Sequence, residues 1–332
     1  MRFIYSFLCL TVIFLNCKNE QSTKIAAGAG NAAIDGVSKQ IEQSPNDPTL
    51  YAARARLFYD MDAFNEAAED MQKAIALDSN NVKYYHFLAD AQLDNAHSKE
   101  ALMVMTDAGN RFSTNMPTLL KLSEYQLILK RYDDAFATLD KILKQDPQNA
   151  EAYFMLGTTF MDIGDTSKAF GSFQKSVELD PDLADAYINL AQIAEKSNQR
   201  VAAQYYDNAV RADSNNLQAV YSKALFLQKQ DKEEEAKALY RKILTKDSQF
   251  ANAYFNMGII FIGSDSIKKA EDNFNIVTQI NPTNAKAYYY RGLARERQKK
   301  YEEARSDYEQ TLRLEPNFTR AKASLSSIEN LK

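Results

Sequence analysis

Apolar residues recur along most of the chain at the spacing of one helical face. Residues 150–183 show the pattern most clearly. Two apolar faces can be drawn there, one formed by Tyr153, Leu156, Gly157 and Phe160 and the other by Ala169 and Phe173. Residues three or four apart lie on the same side of an α-helix, and a following Pro181 cannot continue one. The pattern predicts two helices joined by a turn, each with one apolar side.

The same pattern returns at a fixed interval. We call the large residue that opens each first helix the leading residue; these are Tyr51, Tyr85, Leu119, Tyr153, Tyr187, Tyr221, Tyr254 and Tyr288, with successive gaps of 34, 34, 34, 34, 34, 33 and 34 residues. A small residue opens each second helix, at Ala67, Ala101, Ala135, Ala169, Ala202, Ala236, Ala270 and Ala304. Tyr187 and Tyr221 precede their alanines by 15 residues instead of 16, which predicts a shorter turn in repeats five and six. Chance does not maintain such a period, so the chain is an array of repeats.

These residues resemble the tetratricopeptide repeat, whose pattern W-x2-L-G-x2-Y…A-x3-F…P is met here with Tyr153 in place of the Trp. The resemblance implies an all-α fold, an α-solenoid in which about eight helix-turn-helix repeats form a right-handed superhelix. The expected bounds are 31–45 for an N-terminal capping helix, 48–81, 82–115, 116–149, 150–183, 184–217, 218–250, 251–284 and 285–318 for repeats one to eight, and 319–332 for a C-terminal capping helix.

The N-terminus has the pattern of an export signal. Arg2 precedes the apolar run 3–15, which is too short to span a membrane, since spanning helices need about 20 apolar residues. Cys17 follows at the return to polar sequence and resembles the lipidated cysteine of bacterial lipoproteins. The resemblance implies a signal peptide at 1–16, a flexible tether at 17–30 and a lipid anchor in the cell envelope, with Lys18 favouring the outer membrane. A general signal peptide cut elsewhere and a retained apolar anchor are the alternatives.

Composition and motifs argue against nucleic acid and against catalysis. The 332 residues carry a formal net charge of -4, whereas nucleic-acid binders need a basic face. The two histidines, His86 and His97, are not part of an HExxH motif, and no CxxC or GxSxG motif occurs. Repeats and capping helices account for the chain after the signal. We therefore predict a protein that is not an enzyme and uses no metal or cofactor.

The family resemblance places the binding site on the inner, concave face, lined by the first helices. Side chains one and five residues after the leading residue are expected to point into this groove, because they are four apart on the face away from the second helix. The predicted groove residues are His86, Asp90, Phe154, Thr158, Asn189, Phe226, Phe255, Asn256, Ile259, Lys286, Tyr289 and Tyr290. Aromatic rings beside amides suit an extended peptide. The alternative is that individual rings pack between neighbouring repeats.

We therefore predict a non-enzymatic scaffold, anchored in the envelope, that binds a partner protein or extended peptide in envelope assembly, secretion or complex maintenance. A glycan or peptidoglycan binder, or a regulator of an envelope enzyme, is the alternative. Chaperone-binding tetratricopeptide domains hold a C-terminal carboxylate with a set of Lys, Asn and Arg residues known as the carboxylate clamp. In this sequence only Asn256 and Lys286 match that set, so we do not expect it to capture a C-terminal carboxylate.

Overall fold

The computed structural model describes residues 31–196 and 199–329, and within these ranges it contains eighteen α-helices and no strand. The helices are α1 (Ala32–Gln43), α2 (Pro48–Tyr59), α3 (Phe64–Leu77), α4 (Val82–Asp94), α5 (Ser98–Arg111), α6 (Met116–Ile128), α7 (Tyr132–Gln145), α8 (Ala150–Asp162), α9 (Thr166–Leu179), α10 (Ala184–Ala194), α11 (Gln199–Ala212), α12 (Leu217–Lys229), α13 (Glu233–Lys246), α14 (Ala251–Gly263), α15 (Ile267–Ile280), α16 (Ala285–Arg297), α17 (Tyr301–Leu314) and α18 (Thr319–Glu329). The all-α prediction is confirmed. The predicted signal peptide, Cys17 and the tether lie outside the described residues.

The chain divides into two compact units, Met1–Tyr125 and Gln126–Lys332, which we call unit 1 and unit 2. In unit 1, α2 packs on α3 and α4 on α5. In unit 2, the packed pairs are α8 with α9, α10 with α11, α12 with α13, α14 with α15, and α16 with α17. The single helices α1 and α18 pack on α2 and α17. Each pair is one repeat of a first and a second helix.

Short polar residues set where the first helices begin. The side chains of Asp47, Asn81, Asn149 and Asn284 accept hydrogen bonds from backbone N–H groups in the first turns of α2, α4, α8 and α16. Asn216 caps α12 in the same way, although the sequence did not single it out. Such caps satisfy N–H groups that have no partner within the helix.

A left-handed residue ends the first helix of every repeat whose turn is described. It stands eleven residues after the leading residue at Asp62, Ala96, Lys130, Gly164, Asp265 and Lys299, and ten residues after Tyr221 at Asp231. The backbone N–H of the following residue then donates a hydrogen bond to the carbonyl five residues earlier, for example from Arg131 to Gln126 at 2.7 Å. This is the Schellman end of a helix, which glycine usually supplies. Gly164 is the one glycine in this set, so composition could not reveal the motif.

The structure corrects the predicted register of repeat six. In the other first helices the leading residue is the fourth helical residue, and in α12 that position belongs to Val220, not Tyr221. Val220 is 1% exposed and precedes Ala236 by the usual 16 residues. Only repeat five is therefore one residue short, and the predicted shortening of repeat six is wrong. Tyr221 fits the aromatic position of the repeat pattern better than Val220 does. The sequence pattern alone therefore places the leading residue of repeat six one residue too late.

Small residues on the first helices let the second helices approach closely. An ideal Cβ built on Gly157, Gly258 or Gly292 would lie 2.5 to 2.8 Å from the ring of Phe173, Phe274 or Tyr308, respectively. Real atoms do not come so near, so the ring occupies the space that a side chain would need. In repeats one, two, five and six the same position is Ala55, Ala89, Ala191 and Ala224, and in repeat three it is Ser123.

Buried ion pairs join the two helices of the first and last repeats. In unit 1 the Arg54 guanidinium binds both carboxylate oxygens of Asp70 at 2.7 Å. In unit 2, Asp307 is 2% exposed and binds both Arg291 at 2.7 Å and Arg295 at 2.8 Å. Arg54 and Arg291 both stand three residues after the leading residue, at the position that Leu156 occupies in repeat four. They fix the two helices of a hairpin in one register.

Candidate binding faces on the first helices

Half-buried aromatic rings line the first helices of repeats seven and eight. Phe255 on α14 lies 5.6 Å from Tyr290 on α16, ring centre to ring centre, in an edge-to-face arrangement. Both rings also contact Phe274 of α15, at 5.5 Å and 5.6 Å. Such pairs are held in place by packing, which leaves a firm surface with part of each ring open to solvent. The predicted site residues Phe255 and Tyr290 are thus brought together.

A polar pair adjoins these rings. The Asn256 amide nitrogen donates to the Tyr221 hydroxyl at 3.0 Å, which links α14 to α12. Burial raises the pKa of Tyr221, and the bond from Asn256 offsets part of that shift. Because the Tyr221 oxygen accepts this bond, its own hydrogen remains a donor. Ile259, one turn after Phe255, is half-buried and belongs to the same apolar edge.

Two predicted groove residues are not on this surface. Phe226 is 5% exposed and packs against Tyr206 at 5.1 Å, so the expectation of an exposed ring there is wrong. The one-residue error of register in repeat six explains it, because Tyr221 and Leu225 hold the groove positions instead. Tyr289 is 8% exposed, since Phe318 ahead of the final helix covers its ring at 5.0 Å. The alternative of a ring packed between neighbouring repeats therefore holds at Phe226, whereas Tyr289 is covered within its own repeat.

The remaining predicted groove residues of unit 2 lie on α8, on α10 and in the first turn of α16. Phe154 is half-buried against Phe173 at 5.7 Å. The hydroxyl of Thr158 and the amide of Asn189 donate to carbonyls of their own helices. Lys286 is exposed in the first turn of α16. None of these four has a described contact with the Phe255 and Tyr290 pair.

The corresponding face of unit 1 is a hydrogen-bonded network. Asp90 on α4 accepts from Lys121 and Tyr125 on α6, with Lys121 at 2.9 Å and Tyr125 at 2.7 Å. His86 lies 2.9 Å from the Thr118 hydroxyl, which itself donates to Asn115. The His86 Nε2 must therefore be the donor to Thr118. The predicted residues His86 and Asp90 are both on this face.

Burial decides the charge state of this network. It lowers the pKa of His86, the nearby Lys121 lowers it further, and Asp90 offsets part of the shift. Burial also raises the pKa of Tyr125, and the negative charge of Asp90 adds to that effect. Across residues 31–196 and 199–329, no group of three or more His, Cys, Asp or Glu side chains is placed to hold a metal ion. The network is therefore a set of satisfied hydrogen bonds between neutral His86 and Tyr125 and the ion pair of Asp90 and Lys121.

Comparison with known families identifies the repeat. Tetratricopeptide repeat profiles match residues 48–81 and 285–318, and the profile of the cytochrome c-type biogenesis protein H TPR domain matches residues 134–249. The protein carries tetratricopeptide repeats. The bounds of the first two matches equal those expected for repeats one and eight. Tetratricopeptide repeats bind protein or peptide partners on their extended surfaces.

Relatives share the repeats at low identity. Human protein O-mannosyl-transferase TMTC3 is 23% identical over 239 residues, 70% of this chain and 26% of that protein. The type IV pilus assembly protein PilF of Pseudomonas aeruginosa is 26% identical over 137 residues, 40% of this chain and 53% of that protein. This chain spans 22 to 32% of the length of the first curated relatives that it matches. The transferase activity in the name of TMTC3 belongs to that whole protein.

Solved structures agree with the tetratricopeptide fold. Pseudomonas aeruginosa PilF superposes with a TM-score of 0.57 at 18% identity, over 64% of this chain and 97% of that one. The APC/C hetero-tetramer Cut9-Hcn1 gives a TM-score of 0.57 at 16% identity, over 89% of this chain and 58% of that one. At these identities the likeness establishes the fold. The α-solenoid prediction is confirmed.

No helix within the described ranges combines the length and apolar character needed to cross a membrane. The proposed lipid attachment at Cys17 lies outside those ranges.

Proposed function

We propose that this protein is a scaffold that binds a segment of a partner protein along the first helices of repeats six to eight. The observation that carries the proposal is the joined surface of Tyr221, Phe255, Asn256, Ile259 and Tyr290, in which aromatic edges lie beside the hydrogen-bonded Asn256 amide and Tyr221 hydroxyl. Aromatic residues dominate protein interfaces because they give large contact area at small entropic cost. Their packing against Phe274 prepares the surface before a partner arrives.

We also propose that the scaffold works at the cell envelope, tethered by a lipid on Cys17. The apolar run 3–15 followed by Cys17 supports export and attachment. Diacylglycerol and a further acyl chain on one residue meet the need for more than one anchor. The similarity to PilF supports a role in assembling an envelope complex, and secretion and complex maintenance are the related roles. The predicted outer-membrane location is part of this proposal.

Site-specific crosslinking tests the binding face. A photoreactive benzoylphenylalanine replaces Ile259, and the full chain is irradiated in its native envelope. We expect a discrete crosslinked partner that is reduced at least about fivefold when Phe255→Ala is added. The same photoreactive residue at the exposed Gln279 of α15 should give no such product.

Phe170→Ala is the matched control, because Phe170 is also half-buried in unit 2 but lies on the second helix α9 against Tyr205. It should preserve the crosslink at position 259. Equal loss with Phe255→Ala and Phe170→Ala would indicate general destabilisation and would contradict the assigned face. A glycan in place of a protein in the crosslinked product would favour the alternative function.

Cys17→Ser tests the anchor. It should abolish incorporation of a labelled fatty acid and release the protein from the membrane fraction. Continued labelling of the serine variant would refute lipidation at this residue.

A further inference from the structure

The first helices of repeats six to eight carry no charged side chain one, two or five residues after Val220, Tyr254 or Tyr288. Ser222 and Tyr289 at these positions are buried. The other seven side chains form what we call the uncharged strip: Tyr221, Leu225, Phe255, Asn256, Ile259, Tyr290 and Leu293. All seven are half-buried, so each is partly open to solvent. Helix α14, at its centre, contains no Asp, Glu, Lys, Arg or His among its 13 residues.

Most of the cationic side chains in the middle of α12 and α16 form ion pairs with residues of second helices. Lys223 on α12 binds Asp207 of α11 at 2.8 Å. Arg291 and Arg295 on α16 are held by Asp307 of α17. Each of these cations is thus neutralised by a second helix. The exposed cations Lys229 and Arg297 lie four residues after Leu225 and Leu293, and the predicted groove residue Lys286 lies four residues before Tyr290. Residues four apart share a helical face, so these three cations mark the ends of the strip.

We infer that the partner segment bound here is uncharged and apolar, and that the strip excludes segments with a charged residue at the contact. This inference rests on the proposed function. A charged side chain pressed onto the strip loses hydration and finds no opposite charge within it, which makes binding unfavourable. An apolar side chain removes its own area and that of the aromatic edges from water.

The polar pair in the strip fits an extended backbone. The Tyr221 hydroxyl receives its hydrogen bond from Asn256 and keeps its own hydrogen for an acceptor such as a peptide carbonyl. Peptide carbonyls are neutral, so this contact adds affinity without selecting charge. Apolar side chains and main-chain carbonyls are together the chemistry of an extended uncharged segment.

The repeat itself does not demand an uncharged strip. In repeats one to three the same positions include Arg56, Asp90, Lys121 and Glu124. In repeats four and five these positions are uncharged as well, with Phe154, Met155 and Thr158 in repeat four and Ile188, Asn189 and Gln192 in repeat five. The absence of charge is therefore a property of repeats four to eight and not of the helical hairpin.

A random heptapeptide library displayed on phage, selected on the immobilised full chain, tests the inference. Peptides recovered in a Phe255-dependent manner should carry a central stretch free of Asp, Glu, Lys and Arg. One such peptide, made with a fluorescent label, should lose at least about tenfold in affinity when its central residue becomes Asp or Lys. Its affinity should change little between about 0.05 and about 0.5 M salt.

Charge-swap variants complete the test. Ile259→Lys should shift selection toward peptides with a central Asp or Glu, and Ile259→Asp toward Lys or Arg, while circular dichroism verifies that both remain folded. Recovery of charged peptides by the wild-type strip in a Phe255-dependent manner would overturn the inference and leave the proposed function standing. Loss of the protein crosslink at position 259, by contrast, would remove the proposed function itself.

Discussion

The first-helix faces of the two units are built on the same repeat and have opposite chemistry. In unit 1, Asp90 is tied to Lys121 and Tyr125, and His86 to Thr118. In unit 2, the corresponding positions hold Phe255 and Tyr290 in ring contact. The hairpin requires apolar residues only where its two helices meet. The positions that face outward from the first helices are free to vary, so they carry the specificity of each unit.

The buried ion pairs provide the largest expected difference between the units. Asp307→Ala removes the carboxylate that Arg291 and Arg295 share at a site that is 2% exposed. Arg291 then keeps only neutral acceptors and Arg295 keeps Glu271, so the change should destabilise unit 2 by about 3–5 kcal/mol. Asp70→Ala in unit 1 frees the single Arg54, whose side chain is 23% exposed, and should cost about 1–3 kcal/mol. Urea unfolding midpoints measure both.

Leucine at both ends of the pair is the control. The double change Arg291→Leu with Asp307→Leu should recover much of the loss, because buried ion pairs are often replaceable by apolar residues and repeat four has Leu156 at the arginine position. Equal losses of unfolding free energy for Asp307→Ala and Asp70→Ala would show that the greater burial of the Asp307 ion pair does not make it more important for stability.

Acid should act on the units at different pH. Burial alone would raise the pKa of Glu271, but the hydrogen bonds from Lys300, Gln298 and Arg295 outweigh it and lower that pKa to about 2. Because the folded state prefers the carboxylate, up to about 3 kcal/mol of stability in unit 2 is present above pH about 4.5 and is lost as pH falls toward 2. The pKa of His86 is lowered too, so unit 1 should begin to lose stability as pH falls below about 6.5.

Hydrogen exchange read by mass spectrometry separates the two effects, since peptides from α4 and α15 report on unit 1 and unit 2 individually. His86→Gln should remove the dependence near pH 6 in α4, and Glu271→Gln the dependence below pH about 4.5 in α15. Identical pH profiles for the two helices in the unaltered protein would contradict this difference.

Glycine marks a tighter hairpin in unit 2. In Gly258→Ala the new methyl group would meet the Phe274 ring at 2.7 Å, and overpacking of about 1–3 kcal/mol should outweigh the gain of up to about 1 kcal/mol in helix propensity. In unit 1 the position is already alanine, at Ala55 and Ala89. Gly171→Ala, where nothing lies within 4 Å of the new atom, should instead stabilise α9. If Gly258→Ala stabilised the protein, α14 and α15 would have to move apart around the new methyl group without a loss of free energy, which would contradict the close packing at this position.

The left-handed turn residues give the smallest effect, of opposite sign in the two units. Ala96→Gly in unit 1 should stabilise the turn by about 1 kcal/mol, because Ala96 holds a φ of 59° that costs a residue with a Cβ about 1–2 kcal/mol. Gly164→Ala in unit 2, at a φ of 84°, should destabilise by a similar amount. Melting temperatures measure both, and a loss of stability in Ala96→Gly would contradict the role assigned to this turn.

Sequence reasoning predicted the repeats because their signal is long and periodic. Eight copies of an apolar pattern predicted paired helices joined by turns. It failed at repeat six, where Val220 and Tyr221 stand side by side and both fit an apolar helix face. Asn216, the cap that reveals the true start of α12, was the signal that could have corrected the register.

The candidate site was only partly predictable. Phe255, Asn256, Ile259 and Tyr290 were identified by their position after the leading residue, and the structure brings these four side by side. Phe226 and Tyr289 occupy the core, one through the register error and the other because Phe318 covers it. The spacing within the first helix cannot predict a contact such as that of Tyr289 with Phe318, which lies between α17 and α18.

The sequence by itself determined that this protein is a series of helical hairpins, because helix periodicity and apolar spacing are local properties of the chain. Only the tertiary structure decided which aromatic rings remain open and which charges are neutralised. Both depend on contacts between residues on different helices, and such contacts form when the two helices of a hairpin, or two neighbouring repeats, pack together.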